Sequence, residues 1–179
     1  MRIKWFSLIR ITGLLLVLLY HFFQTIFPGG FFGVDVFFTF SGFLITSLLL
    51  EEFGKARQID LLGFFKRRFY RIVPPVVLMV LVTMPFTFLV RQDYVAGIGG
   101  QVAGVLGFMT NFYEMLTGGS YESQFIPHLF VHNWSLAVEV HYYILWGLAV
   151  WFLSKRSKSS SQLRGMVFLL SAGAFIISF

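Results

Sequence analysis

Cysteine is absent from the 179-residue sequence, which excludes disulfides and thiolate metal sites and leaves the redox compartment unreadable. Charge is scarce too. Only 12% of the residues are Asp, Glu, Lys or Arg, against roughly 25% in a soluble domain. Acidic residues number 8 and basic ones 14. The bases gather in clusters between apolar runs, a pattern of membrane topology rather than of a nucleic-acid-binding face. His128 and His132 are four apart but follow Pro127 in a loop-like stretch, and His141 adds no metal spacing with a carboxylate. We therefore expect neither a metal nor a nucleic-acid partner.

What abounds is apolar. Hydrophobic residues make up 57% of the chain, 24 of them phenylalanine, and the mean hydropathy is +0.78. A soluble core of this length cannot absorb so much apolar surface, whereas lipid can. The sequence predicts an all-α, multi-spanning transmembrane helix bundle. About 20 apolar residues cross a bilayer, and spans are expected at about 11–27, 34–50, 72–90, 135–153 and 165–179. The first run lacks a small-residue cleavage site, so we read it as a retained helix rather than a signal peptide. The last run is still apolar at Phe179, which suggests a truncated bundle with C-terminal spans missing.

Basic loops stay in the cytoplasm. Arg2, Lys4 and Arg10 flank the first span, Lys55 to Arg71 lie between the second and third, and Lys155 to Arg164 lie between the fourth and fifth. The expectation is a multi-pass cell-membrane protein with a cytoplasmic N-terminus. An even number of crossings must then separate Arg71 from Lys155. Residues 95–116, with five glycines, are accordingly expected to be re-entrant or interfacial.

Ionisable groups inside spans are costly and usually functional. His21 lies about six residues from the expected outer end of the first span, and Glu139 about five into the fourth. At about 1.5 Å per residue, both fall roughly 8 Å below the outer boundary. A His beside a carboxylate is a general-base arrangement, in which the acid fixes the tautomer and stabilises the imidazolium. Arg10, taken alone, reads as a snorkelling interfacial anchor. Arg67 and Arg71 share a helical face with Arg68 adjacent; such a cluster suits either anionic lipid headgroups or several phosphates of a nucleotide-like ligand. Asp35, with Thr39 and Ser41 nearby, reads first as a helix-start carboxylate.

Together these residues resemble the acyltransferase-3 family of membrane O-acyltransferases. The resemblance rests on Arg10 and His21 with ten residues between them, and on Gly33-Val-Asp-Val-Phe-Phe with Ser41-Gly-Phe-Leu-Ile45. It continues through Arg67-Arg-Phe-Tyr-Arg71-Ile-Val-Pro74, Asn111-Phe-Tyr113 and Trp134-Ser-Leu-Ala-Val-Glu139. Within the family, Glu139-Val-His-Tyr-Tyr143 is most similar to the Gram-positive peptidoglycan O-acetyltransferases, and departs from the commoner Glu-Glu-Gln-Phe-Tyr. The resemblance implies transfer of an acetyl group from cytoplasmic acetyl-CoA to an extracellular glycan such as peptidoglycan muramic acid. It makes His21 and Glu139 the catalytic candidates, and Arg10, Arg67, Arg68 and Arg71 the acyl-CoA-binding ones. Tyr142 and Tyr143 become relay candidates, with Asp35, Ser41, Trp134 and Ser135 in support. Implied partners are membrane lipid, acyl-CoA, the glycan acceptor, the missing C-terminal spans and an extracellular transferase domain; without these the chain is expected to be inactive. The competing reading is a transporter or channel subunit in which His21, Asp35 and Glu139 form a proton path.

Overall fold

A computed structural model describes residues 4–90, 97–117 and 128–177. Seven α-helices follow one another: α1 Lys4–Phe22, α2 Gly33–Ala56, α3 Leu61–Val90, α4 Ile98–Leu106, α5 Thr110–Thr117, α6 Trp134–Arg156 and α7 Ser160–Ile177. Among the described residues there is no strand. The segments Pro28–Ala56, Leu61–Thr87, Val131–Arg156 and Ser160–Ile177 are helical and apolar enough to cross a membrane, and Leu8–Phe22 is a shorter apolar helix. Large apolar side chains such as Leu62, Leu89 and Leu145 point outward, as they do where the solvent is lipid. The protein is a multi-pass helical membrane protein. The chain divides into two compact units, residues 1–57 with 157–179, and residues 58–156.

In the first unit the chain reverses between α1 and α2 through turns at Phe23 and a 3-10 turn, Pro28–Phe32. Proline suits the first position of that turn because its missing N–H would be unpaired there. Two glycines let the returning chain lie against α1. A Cβ at Gly33 would sit 2.5 Å from the Gly13 carbonyl oxygen and 2.8 Å from Val17 Cγ2, and one at Gly30 would strike the Leu16 carbonyl. The α1 helix therefore ends at Phe22 rather than at Phe27, as expected from hydropathy, because Ile26 N and Phe27 N already turn back to the Phe23 carbonyl. Asp35 falls in the first turn of α2, where the helix dipole favours a carboxylate. The far end of α2 stops at Arg57, whose φ of 55° is the left-handed cap conformation. In this unit α2 packs against α7.

The second unit begins with a helix longer than the sequence suggested. Asp60 Oδ1 accepts the Gly63 N–H at 2.9 Å, an N-cap bond that starts α3 at Leu61 instead of near Ile72. The Lys66–Arg71 cluster consequently lies on the same continuous helix as the expected third span. At α4 and α5 the chain makes helices of 9 and 8 residues, about 14 and 12 Å long, against a hydrocarbon core of about 30 Å. They form a hairpin in which Tyr113 packs onto Gly100, where a Cβ would lie 2.8 Å from Tyr113 Cε2. Val105 of α4 and Phe130 pack with Val76 and Val80 of α3. Gly147 of α6 brings that helix close to Phe64 of α3.

Candidate functional site

His21 occupies the last turn of α1. Its Nδ1 lies 2.8 Å from the Val17 carbonyl oxygen. A carbonyl can only accept, so Nδ1 carries the hydrogen and the neutral ring keeps its basic lone pair on Nε2. The tautomer is thus set by the helix's own backbone, where the sequence had suggested a carboxylate. The ring is exposed, and a cation formed on it would lie at the carbonyl end of the α1 dipole. Arg10 is on the same continuous helix, 11 residues earlier. That is close to three turns, so both side chains share a face about 16 Å apart. Arg10 is half-buried, its guanidinium 5.6 Å from the centre of the Phe40 ring on α2. It packs inward rather than snorkelling. Ser41, one residue on, is buried.

The second unit holds a different arrangement. The basic motif divides: Arg67 and Arg71 are exposed, whereas Arg68 is half-buried. Its guanidinium lies 5.7 Å from the Phe64 ring centre and 5.6 Å from that of Tyr143 on α6. Each such cation–π contact is worth about 0.5–2 kcal/mol. The Tyr143 hydroxyl in turn donates to Glu139 Oε1, one helical turn away. Arginine, phenol and carboxylate therefore form a string along α6. Beside it opens a cavity of about 640 Å³, lined by Lys66, Arg68 and Tyr143 together with apolar side chains including Phe65, Phe69, Val73, Phe108 and Ile144. That volume suits a small-molecule ligand. The lining is almost wholly apolar, with Lys66 and Arg68 contributing their carbon stems, so the trough suits the uncharged arm of a ligand.

Phe108 links α4 to α5 with φ of 54°, a conformation bulky residues rarely adopt. Holding it costs of order 1–3 kcal/mol, and the result is an aromatic ring in the cavity wall. Of the two relay candidates only Tyr143 reaches this cavity. Tyr142 instead stacks on Trp146, with ring centres 5.8 Å apart. Trp134 opens α6, and Ser135 Oγ donates to the His132 carbonyl at 3.3 Å, which fixes the start of that helix. His21 and Glu139 belong to different units, so their pairing rests on sequence depth, and the shorter α1 removes the helix end from which His21's depth was counted.

Against known proteins, the family model described as an acyltransferase domain matches residues 3–179. The chain belongs to the acyltransferase-3 family. It is 33% identical over 171 residues to the O-acetyltransferase OatA of Staphylococcus aureus strain NCTC 8325, covering 94% of this chain and 28% of that protein. A second Staphylococcus aureus protein named as an O-acetyltransferase, from strain COL, is 34% identical over 136 residues, covering 76% of this chain and 22% of its own length. This chain thus spans less than a third of the length of these curated relatives. No solved structure matches it.

One pair in this acyltransferase domain was not legible from the sequence. His128 Nδ1 lies 2.6 Å from Glu114 Oε2, with the two side chains only 12% and 8% exposed. They are fourteen positions apart in the sequence, so helical spacing gave no sign of the pairing. The available signal was Glu114 itself, the first charge after a long uncharged stretch. His141 packs at 5.5 Å on Phe112. Among the described residues no three His, Cys, Asp or Glu side chains gather as metal ligands do.

Proposed function

We propose that the protein carries out membrane O-acetylation, moving an acetyl group from cytoplasmic acetyl-CoA to a hydroxyl of an extracellular glycan, with peptidoglycan muramic acid as the acceptor. Membership of the family and likeness to proteins named O-acetyltransferases support the reaction class. The observation that carries the donor assignment is the apolar cavity on the basic Lys66–Arg71 stretch of α3. Lys66 and Arg68 offer charge to the coenzyme's phosphates, with exposed Arg67 and Arg71 adding to the field, while the apolar walls accept its uncharged arm. In this reading the N-terminus and the Lys66–Arg71 end of α3 face the cytoplasm, as the distribution of bases requires.

The chemistry is an acyl transfer. The acceptor oxygen attacks the thioester carbonyl, His21 Nε2 takes the hydroxyl proton, and the coenzyme thiolate leaves and is reprotonated. Arg10 and His21, on one face of α1, give the donor a track along that helix. Glu139, whose carboxylate accepts the Tyr143 hydroxyl within the second unit, is the other catalytic candidate. The test is turnover of acetyl-CoA by membranes carrying the complete protein or its His21→Ala and Arg68→Ala variants. Loss in both variants is the expected result. An unaffected His21→Ala protein removes the base assignment, and a wild-type protein that never consumes acetyl-CoA favours the transporter reading.

A further inference from the structure

The buried cluster on α5 has no part in the reading above, and its chemistry is opposite to that of the Arg68 cavity. Thr110, Asn111 and Glu114 fall within one turn or so of α5, with Thr110 and Glu114 four apart on one face. Thr110 Oγ1, Asn111 Oδ1 and Glu114 Oε1 are all buried with no hydrogen-bond partner. Thr110 is 1% exposed and Glu114 7%. The other Glu114 oxygen is taken by His128. Close by, Gln101, also 1% exposed, accepts the Phe130 N–H at 3.4 Å.

Buried oxygens without partners are costly, and a carboxylate oxygen most of all. A fold keeps three of them together where something supplies donors. Two of the three atoms can only accept, and the third is a hydroxyl that does either. The set is therefore short of donors and carries an acid, so it repels phosphates and carboxylates and suits a neutral molecule rich in O–H or N–H groups. Half-buried Asn111 and His128 form its more accessible side. Phe108, just before α5, belongs to the wall of the apolar cavity. One short strained turn therefore divides an apolar trough from an acceptor-rich cluster.

We propose that Thr110, Asn111, Glu114 and His128 form a subsite for the hydroxyl groups of a neutral carbohydrate, with His128 positioning the Glu114 carboxylate. This deepens the proposed function, since it assigns a carbohydrate-recognition site to the same protein, and it rests on that reading only for the identity of the sugar as acceptor.

The experiment uses the complete protein in lipid nanodiscs and a soluble N-acetylglucosamine oligosaccharide as probe. Equilibrium binding is measured for wild type, Glu114→Gln and the near-isosteric Thr110→Val, alongside acetyl-CoA hydrolysis without acceptor and the melting temperature. The expected result is oligosaccharide binding weakened about tenfold in each variant, with donor hydrolysis within twofold of wild type. Wild-type binding in a normally folded Thr110→Val protein overturns the subsite and leaves the oxygens to buried water. So does a parallel fall in binding, hydrolysis and melting temperature in both variants, which marks the cluster as structural. If wild type binds the oligosaccharide through these residues yet never consumes acetyl-CoA, the subsite stands and the transferase reading falls.

Discussion

Two imidazoles in this chain have their Nδ1 hydrogen bond satisfied by very different means. In the first unit His21 is exposed and held at 2.8 Å by a backbone carbonyl of its own helix. In the second His128 is largely buried and held at 2.6 Å by a carboxylate from another element. A backbone acceptor sets the tautomer and cannot be lost by a single side-chain change. A carboxylate acceptor adds a full charge and joins two segments, which suits recognition and local order more than proton traffic. The sharpest way to break this contrast is to remove each ring. His21→Ala should lower acetyl-CoA turnover by about 10³-fold, within the range of a lost general base, whereas His128→Gln should leave donor hydrolysis within about threefold. Equal losses in a stopped assay of thioester cleavage would erase the distinction.

The next largest effect concerns the donor cavity. Arg68 contributes both charge and a planar face between Phe64 and Tyr143. Arg68→Ala is expected to raise the acetyl-CoA KM by about 30-fold, and Arg68→Lys to recover less than half of that free energy, because an ammonium lacks the guanidinium plane. Arg71→Ala, on the exposed face, should raise KM by no more than about threefold. A larger effect at Arg71 than at Arg68 would move donor binding out of the cavity and on to the membrane surface.

Much of this was legible in the sequence, and the failures have physical causes. The membrane class and the helical fold followed from hydropathy, because lipid permits few alternatives for a chain so apolar. The start of α3 did not. Lys66 to Arg71 were read as a helical face but left outside the third span because of their charge, while the signal for one continuous helix was local, an Asp60 side chain capping Gly63 N. The end of α1 was missed because Phe23, Ile26 and Phe27 carry the apolar pattern past Gln24 and Thr25, while the turn back to the Phe23 carbonyl and the close contacts of Gly30 and Gly33 reverse the chain. His21, Glu139 and Arg68 were named from motif and depth. The partners that give them chemistry were not: the Tyr143 donor at Glu139 was a helical neighbour that depth did not single out, and Glu114 and His128 lie fourteen positions apart, a separation that periodicity does not encode.

A smaller effect is expected where the second unit's carboxylate loses its donor. Tyr143→Phe keeps the ring under Arg68 but removes the hydroxyl that serves Glu139, and an unmet partly buried acceptor costs about 1–3 kcal/mol. The variant should fold normally and lose about tenfold in turnover with the acetyl-CoA KM unchanged. A raised KM instead would assign the phenol to donor contact rather than to Glu139.

The smallest effect tests the backbone half of the comparison. Val17 orients His21 through its carbonyl, which any residue at position 17 supplies, so Val17→Ala should keep turnover per folded molecule within about twofold. The substitution removes methyl groups that pack near Gly33, and shortening a half-buried side chain costs about 1 kcal/mol, so the melting temperature should fall by a few degrees while the chemistry persists. Activity that collapses in a well-folded Val17→Ala protein would mean that side-chain packing at that turn, and not the carbonyl, holds the imidazole in its working orientation.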